Sequence, residues 1–386
     1  MKLIANQIES AGGESYVAYG RGALTGDNFF VINTTFQQKL SILKTRIFGM
    51  HGFYNIHGTR KLIKWIDKIK PDIVHLHNIH GHYINIELLF DYLSKYKIKV
   101  IWTLHDCWPF TGHCSHFASL KCEKWKTGCS KCANLRSYPR TYLFDTSKIG
   151  WEKKNRIFNQ IDDDNLVFAS TSDWVKSIQE TSFLSKYKCY TINNGIDLNI
   201  FKPHQDINLR SSICDNSEFL ILGFANKWLL DDNIETLMFL DRELPKDIKI
   251  LLIGSQNHPE WLPKSRFKVI GFVKDAELLA KYYSISDVFV NLTHEDTFPT
   301  VNIESLACGT PVITNDVCGS SEIIDTDTGI SVQEYCNDEL LNAIMKIYRC
   351  GKSAYFDKCV QRANKLYNKE NNYKKYIDLY RRIISK

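Results

Sequence analysis

The chain has 386 residues, 44% of them hydrophobic and 24% charged, which excludes a disordered or collagen-like protein and suits two folded domains. No apolar run approaches the roughly 20 residues of a membrane-spanning helix, and residues 1–14 lack the apolar core of a signal peptide. The expected location is therefore the cytoplasm. Net charge is +6 but unevenly spread: residues 36–70 carry eight Lys or Arg against one acid, Asp67. Such a stretch suits an anionic membrane surface or nucleic acid. No nucleic-acid motif accompanies it, so nucleic acid is not expected as a partner.

In chain order, residues 4–14 read as a helix and residues 14–19 (ESYVAY) as a strand. A doubly wound domain should open with a strand, a Gly-rich turn and a helix; here the chain is expected to lack that first strand and turn. Gly12 and Gly13 follow the helix and read as a turn. Residues 36–55 are basic and partly apolar, through Leu40, Ile42, Leu43, Ile47, Phe48 and Phe53. They fit a membrane-surface segment or an ordinary packed helix. Residues 59–70 predict an amphipathic helix and 73–76 a strand that ends in His75, His77 and His80. These histidines could ligate metal, but no acidic residue adjoins them in the sequence.

Residues 99–104 predict a buried strand that delivers His105 and Asp106 to its C-terminal edge. A histidine there can act as a base or as a hydrogen-bond donor, or simply close the strand as a core residue. An insertion follows, CWPFTGHCSHFASLKCEKWKTGCSKC, from Cys107 to Cys132. Twelve cysteines is high for a chain with reduced thiols. Cys129 and Cys132 have zinc-ligand spacing, and Cys114 and Cys122 would complete a structural zinc site. The other reading is reduced core thiols or a disulfide pair.

Strands are expected at 166–169 and 190–192, with residues 170–174 capping a helix between them. The second domain restarts the pattern: strands at 219–224, 248–253 and 268–270, and helices at 233–242 and 276–286. A strand at 287–291 leads into HEDTFPTVNIESLACGTPVI, residues 294–313. Here Thr297 is expected to cap a helix whose first residue is Pro299, ending near Cys308 at Gly309, with a strand from Pro311. The C-terminal edge of such a strand is where open α/β sheets bind ligands. A helix N-terminus there suits a phosphate, and Asp296 and Glu304 offer acceptor oxygens to sugar hydroxyls. Acidic loops and capped helices also occur in α/β proteins of any function. Helices are expected at 338–350 and 355–368. Beyond them, Tyr373, Tyr376, Ile377, Tyr380, Ile383 and Ile384 share one helical face.

Asp296, seven residues, Glu304, then A-C-G-T-P-V-I resembles the signature of retaining glycosyltransferase family four, the glycosyl transferases of group 1. Asp296 stands where that signature has Glu. The run Thr103-Leu-His-Asp-Cys-Trp108 with the cysteine insertion resembles a bacterial subgroup that builds capsule and exopolysaccharide. Asn194-Gly-Ile-Asp197 through Pro203 resembles the family's exit from its first domain.

The resemblance implies an α/β fold of GT-B architecture, two Rossmann-like domains facing a cleft. Residues 1–203 would bind the acceptor, 204–365 the nucleotide sugar, and 366–386 would form a helix crossing back to the first domain. It implies transfer from a nucleotide-diphosphate sugar to a glycan or polyprenyl-pyrophosphate-linked acceptor, with retention and with no catalytic cofactor or metal. An anionic inner-membrane surface is the further partner expected. Glu304 would hold the ribose, Asp296 the donor-sugar hydroxyls, and Phe298, Pro299 and Thr300 the sugar and phosphates. Phe272 would pack on the base. His105 would sit at the reacting centre, with His77, Asn78 and Asp106 on the acceptor side.

The family's subgroup has Arg-Lys-Gly after Trp and two residues. This chain has Trp228, then Asp231, Asp232 and Asn233. Those carboxylates would repel a diphosphate, and Lys227 is the expected substitute cation. A truncated or degenerate member that binds without turnover is the alternative. A dinucleotide oxidoreductase is disfavoured because no G-x-G-x-x-G follows a first strand.

Overall fold

The computed structural model describes residues 2–22 and 26–385. The chain divides into two compact units, Met1–Asn193 with Tyr373–Lys386, and Asn194–Asn372. The strands among the described residues are β1 (Val17–Tyr19), β2 (Phe29–Val31), β3 (Ile73–His77), β4 (Lys99–Leu104), β5 (Leu166–Ser170) and β6 (Lys188–Thr191) in the first unit. The second holds β7 (Phe219–Phe224), β8 (Ile248–Ile253), β9 (Phe267–Ile270), β10 (Val288–Asn291), β11 (Val312–Asn315) and β12 (Gly329–Val332).

In the first unit, β3-β4-β5-β6 form a parallel sheet, and β1 and β2 pair in parallel as a separate two-stranded sheet. All five residues of β5 and five of the six in β4 are buried, as expected of strands covered on both faces. Part of one face is covered by the helices Lys2–Ser10 and Lys369–Ile384. Ile4, Tyr376, Leu379, Tyr380 and Ile383 pack with Ile101, Val167, Ala169 and Ile192. Leu379 takes the place expected for Ile384, which is exposed.

The second unit holds one six-stranded parallel sheet, ordered β12-β11-β10-β7-β8-β9. Renumbered within the unit this reads 6-5-4-1-2-3, the order of a doubly wound nucleotide-binding fold. The order reverses between β7 and β10, so the C-terminal ends of these two strands flank the switch point where ligands bind. Close packing behind it depends on Gly223 in β7. A Cβ there would lie 2.3 Å from Trp228 Nε1. Trp228 is fully buried, and its indole N–H donates to the Val290 carbonyl at 2.9 Å, tying the chain after β7 to β10.

The boundary between the units falls at residue 193, not 203. Residues 194–203 pack on the second unit: Ile196 N–H donates to Tyr367 O at 2.9 Å, Leu198 and Phe201 join the second core, and Asp197 pairs with Lys369. The sequence reading passed over β2, β12 and the helices Ile86–Lys95 and Ser147–Phe158. Of these, Ile86–Lys95 carries a plain signal. Asn85 caps it by accepting from Leu88 N–H, and Ile86, Leu89, Phe90 and Leu93 form its buried side.

Candidate active site

At the switch point, β10 ends at Asn291 and residues 292–299 lead into the helix Thr300–Ala307. The N-cap is Pro299, two residues later than the Thr297 cap expected, and it supplies no side-chain hydrogen bond. Proline has no capping oxygen, so the cap residue itself offers the first turn no side-chain acceptor. Thr297 is buried in the loop instead. The Asn302 N–H donates back to Pro299 O at 3.1 Å.

Asp296 organises this loop. Its Oδ1 accepts from the Phe298 N–H at 3.0 Å, and its carbonyl accepts from the Gly319 N–H at 3.2 Å. The second bond draws in residues 316–322. Asn302, fully buried, adds two more ties: its Oδ1 accepts from Asn291 Nδ2 at 2.9 Å, and its own amide donates to Ser320 O at 3.4 Å. Phe298 is buried edge-on against Tyr367, the ring centroids 5.9 Å apart. Phe298 therefore anchors the loop by packing, and its backbone is what remains for a ligand.

Glu304 lies one turn into the helix. Tyr283 O–H donates to its Oε2 at 3.1 Å, and the Thr300 hydroxyl also bonds it. Burial raises its pKa from 4.5 to about 7, against the lowering effect of these two donors. Tyr283 is the residue that sequence reasoning missed here, because it comes from the helix Ala276–Ile285, far along the chain.

Lys227 sits in the short helix Ala225–Trp228 directly after β7, on the other side of the switch point. Asp231 and Asp232 are exposed in the turn that follows, and Asn233 is buried with its amide on Lys227 O at 2.9 Å. Asp232 and Glu334 both hold the Tyr335 phenol up electrostatically, after burial. Carboxylates thus gather at this edge. His294, in the loop after β10, bonds Glu334 at 2.6 Å and stacks on Tyr335 with centroids 5.0 Å apart. Phe272 follows β9, two strands from the switch point, and is 74% exposed.

In the first unit, the expected acceptor-side residues meet at the C-terminal ends of β3 and β4. His77 Nδ1 and His105 Nε2 lie 3.0 Å apart, so one ring donates and the other accepts. His75 is held between Tyr380 O–H and Thr103 O–H, both at 2.7 Å. Burial lowers all three histidines, His75 to about 3 and His77 well below its ordinary value, so they are neutral near pH 7. Asn78 is exposed, with a left-handed φ of 37°.

The acidic partner that the sequence did not show beside the histidines is Asp106. Its Oδ2 bonds His80 Nε2 at 2.7 Å, and its Oδ1 accepts from the Trp108 N–H. The folded chain brings the two strand ends together where the sequence separates them by 26 residues. His80 Nδ1 and both ring nitrogens of His51, whose centroid is 5.6 Å from that of His80, are buried without partners among the described residues.

None of the twelve cysteines forms a disulfide among the described residues. Cys114 and Cys132 share a hydrogen bond that pulls Cys132 down to about 7, while Cys129 accepts from the Gly112 N–H at 3.2 Å. Cys114 is buried in the core beside Phe117 and Trp125, with Cys122 and Cys129 packed against that core. Among the described residues no three His, Cys, Asp or Glu side chains are placed to hold one metal ion. Cys114, Cys122, Cys129 and Cys132, the ligands their spacing predicts, are nonetheless near enough to shift one another's thiols electrostatically. Lys154 lies beneath them, fully buried, its ammonium donating to the carbonyls of Trp108 and Thr111 at 2.8 and 2.9 Å.

Two Rossmann-like units of parallel α/β structure, one with the doubly wound order and an acidic loop–helix at its switch point, define the GT-B class of glycosyltransferases. The sequence matches the models for Glycosyltransferase Family 4 over residues 10–200 and for Glycosyl transferases group 1 over residues 224–350. The chain belongs to this family of glycosyltransferases.

It is 25% identical over 330 residues to the putative colanic acid biosynthesis glycosyl transferase WcaC of Escherichia coli, covering 81% of this chain and 77% of that one. It is 22% identical to an uncharacterized 41.2 kDa protein in the cps region of Klebsiella pneumoniae, over 83% and 81% of the two chains. Among solved structures, sucrose-phosphate synthase from Thermosynechococcus elongatus superposes with a TM-score of 0.64 at 17% identity, over 99% of this chain and 92% of that one. Anabaena Alr3699/HepE in complex with UDP does so with a TM-score of 0.61 at 14% identity, over 83% and 81%.

Proposed function

We propose that this chain moves a sugar from a nucleoside-diphosphate sugar to a glycan or lipid-linked acceptor, with retention of configuration, in the assembly of a bacterial surface polysaccharide. The observation that carries the proposal is the arrangement of Asp296, the uncapped helix start at Thr300 and Glu304 at the switch point of the second unit's sheet. A diphosphate fits the helix start, where backbone N–H groups and the helix dipole favour anions. Glu304, ionised, accepts ribose hydroxyls, and Lys227 supplies a cation from the facing strand end. In this reading the chain's residues place the donor and stabilise its leaving diphosphate, which is the larger part of such catalysis. His105 and His77, neutral, would present hydrogen-bonding nitrogens to the reacting sugars rather than a charge.

Similarity supports the reading: a relative named for colanic acid biosynthesis, and a structural neighbour solved with UDP. A second reading, a member that binds sugar or a partner without turnover, is favoured by one observation, the exposed Asp231 and Asp232 beside Lys227.

Calorimetric titration with UDP and with GDP, and with the corresponding sugar nucleotides, decides between them. Micromolar binding of one nucleotide, lost in Glu304→Ala, is expected. A folded chain that binds neither overturns the donor assignment in favour of the second reading.

A further inference from the structure

The helix Thr35–Phe48 is built inside out. Its buried residues are Ser41 and Thr45, whereas Phe36, Leu40, Leu43 and Phe48 are 74%, 42%, 53% and 50% exposed. Phe36, Leu40, Leu43 and Ile47 recur at the spacing of one helical face, a stripe about 17 Å long at about 1.5 Å per residue. At about 100° per residue, Lys39 and Arg46 flank one side of this stripe and Lys44 the other.

A second segment extends the patch. Tyr142, Leu143 and Phe144 are 44%, 69% and 54% exposed. They are fixed to the helix end: Tyr142 N–H donates to Arg46 O at 2.8 Å, Thr141 O–H donates to Thr45 O at 3.1 Å, and Phe144 stacks on Phe48 with centroids 6.0 Å apart. Arg136 lies over the Tyr142 ring. Residues 28–66 contain no Asp or Glu, and neither do residues 124–144.

We infer that this face of the first unit docks on an anionic lipid bilayer. A helix with an exposed apolar stripe and cations along both edges lies in the interface plane, its leucines and phenylalanines below the headgroups and its lysines among them. A protein partner or a second copy of the chain would cover the apolar stripe equally well. What selects the bilayer is the rim: every charged residue of both segments is a cation, which complements a continuous anionic surface. No helix among the described residues is long and apolar enough to cross a membrane, so the contact is a surface one. The inference goes beyond the donor site and uses none of its residues.

The test is co-sedimentation of the full chain with phosphatidylcholine vesicles, with and without phosphatidylglycerol, alongside light scattering without lipid. The wild-type chain is expected to sediment with the anionic vesicles and to release as salt rises. Leu43→Glu with Phe144→Glu should weaken binding at least tenfold, and each of Lys39→Glu and Lys44→Glu by about fivefold or more. All four substitutions fall at exposed positions and should leave nucleotide binding unchanged, which separates this test from that of the donor site. Wild-type binding to neither vesicle, or variants that bind like wild type, overturns the inference. So does a concentration-dependent dimer that the apolar variant abolishes, which would assign the face to a second copy.

Discussion

Glu304 is the residue whose chemistry can be read most directly. An acid whose pKa folding raises keeps its proton in the native state where the unfolded chain has lost it. The stability that protonated Glu304 contributes is therefore full below about pH 4.5 and is lost as pH rises through about 7. Glu304→Gln, which stays neutral, should gain on the wild type by up to about 3 kcal/mol between pH 4 and pH 8, read as the difference in chemical-denaturation midpoints. Donor binding has the opposite sign, because ribose hydroxyls want the carboxylate. Affinity for a nucleoside-diphosphate sugar should rise from pH 5.5 to pH 8 in the wild type and stay flat in Glu304→Gln, by calorimetry. Tyr283→Phe removes a donor to the carboxylate, so the midpoint of that rise should move to higher pH. At the facing strand end, Asp231→Arg with Asp232→Lys should tighten nucleotide binding by about tenfold or more, since it replaces repulsion of a diphosphate by attraction. No change there would mean that these exposed carboxylates lie too far from the phosphates to matter.

At the scale of elements, the strands and helices around the donor site were legible because hydrophobic runs and Gly and Pro punctuation coincide there. Residues 219–224 and 248–253 are strands with the limits the sequence gives them. The helix after β10 differs by its first residue only, because the Asp296 carboxylate is spent on the Phe298 N–H and Thr297 turns inward, leaving Pro299 as the cap. β2 was not legible: it has three residues, none of them buried, and so no alternation to detect. The contacts that assemble the sites were not legible either. Tyr283 with Glu304 and His80 with Asp106 join different elements, and no periodicity within one element encodes them. Gly223 shows how little room such assembly leaves. Gly223→Ala should cost about 3 kcal/mol or more, because the new methyl displaces Trp228 and its bond to Val290. Thermal unfolding would show the loss, and Trp228→Phe in the same background should restore part of it.

For the whole molecule, the telling fact is that residues 373–386 belong to the first unit although the entire second unit separates them from it in sequence. Deleting them should uncover Ile101, Val167 and Ala169 and lower the melting temperature of the first unit. Residues 194–372 should keep their own transition and any nucleotide binding. A single transition lost as a whole, by differential scanning calorimetry, would contradict this. Such a return of the chain was implied by the family resemblance, while the tyrosine and isoleucine spacing after residue 372 gave only a shared helical face. Its attachment through Tyr380 to His75, the neighbour of His77, was not.

That bond sets an order of events on the ribosome. The strands β3 to β6 are made early, but the tyrosines that cover one of their faces are translated only after residues 194–372. At typical elongation rates the uncovered face waits roughly 10 to 40 s. The later-made unit is thus the first that can be complete. A permuted gene that places residues 373–386 ahead of the first helix would remove the wait.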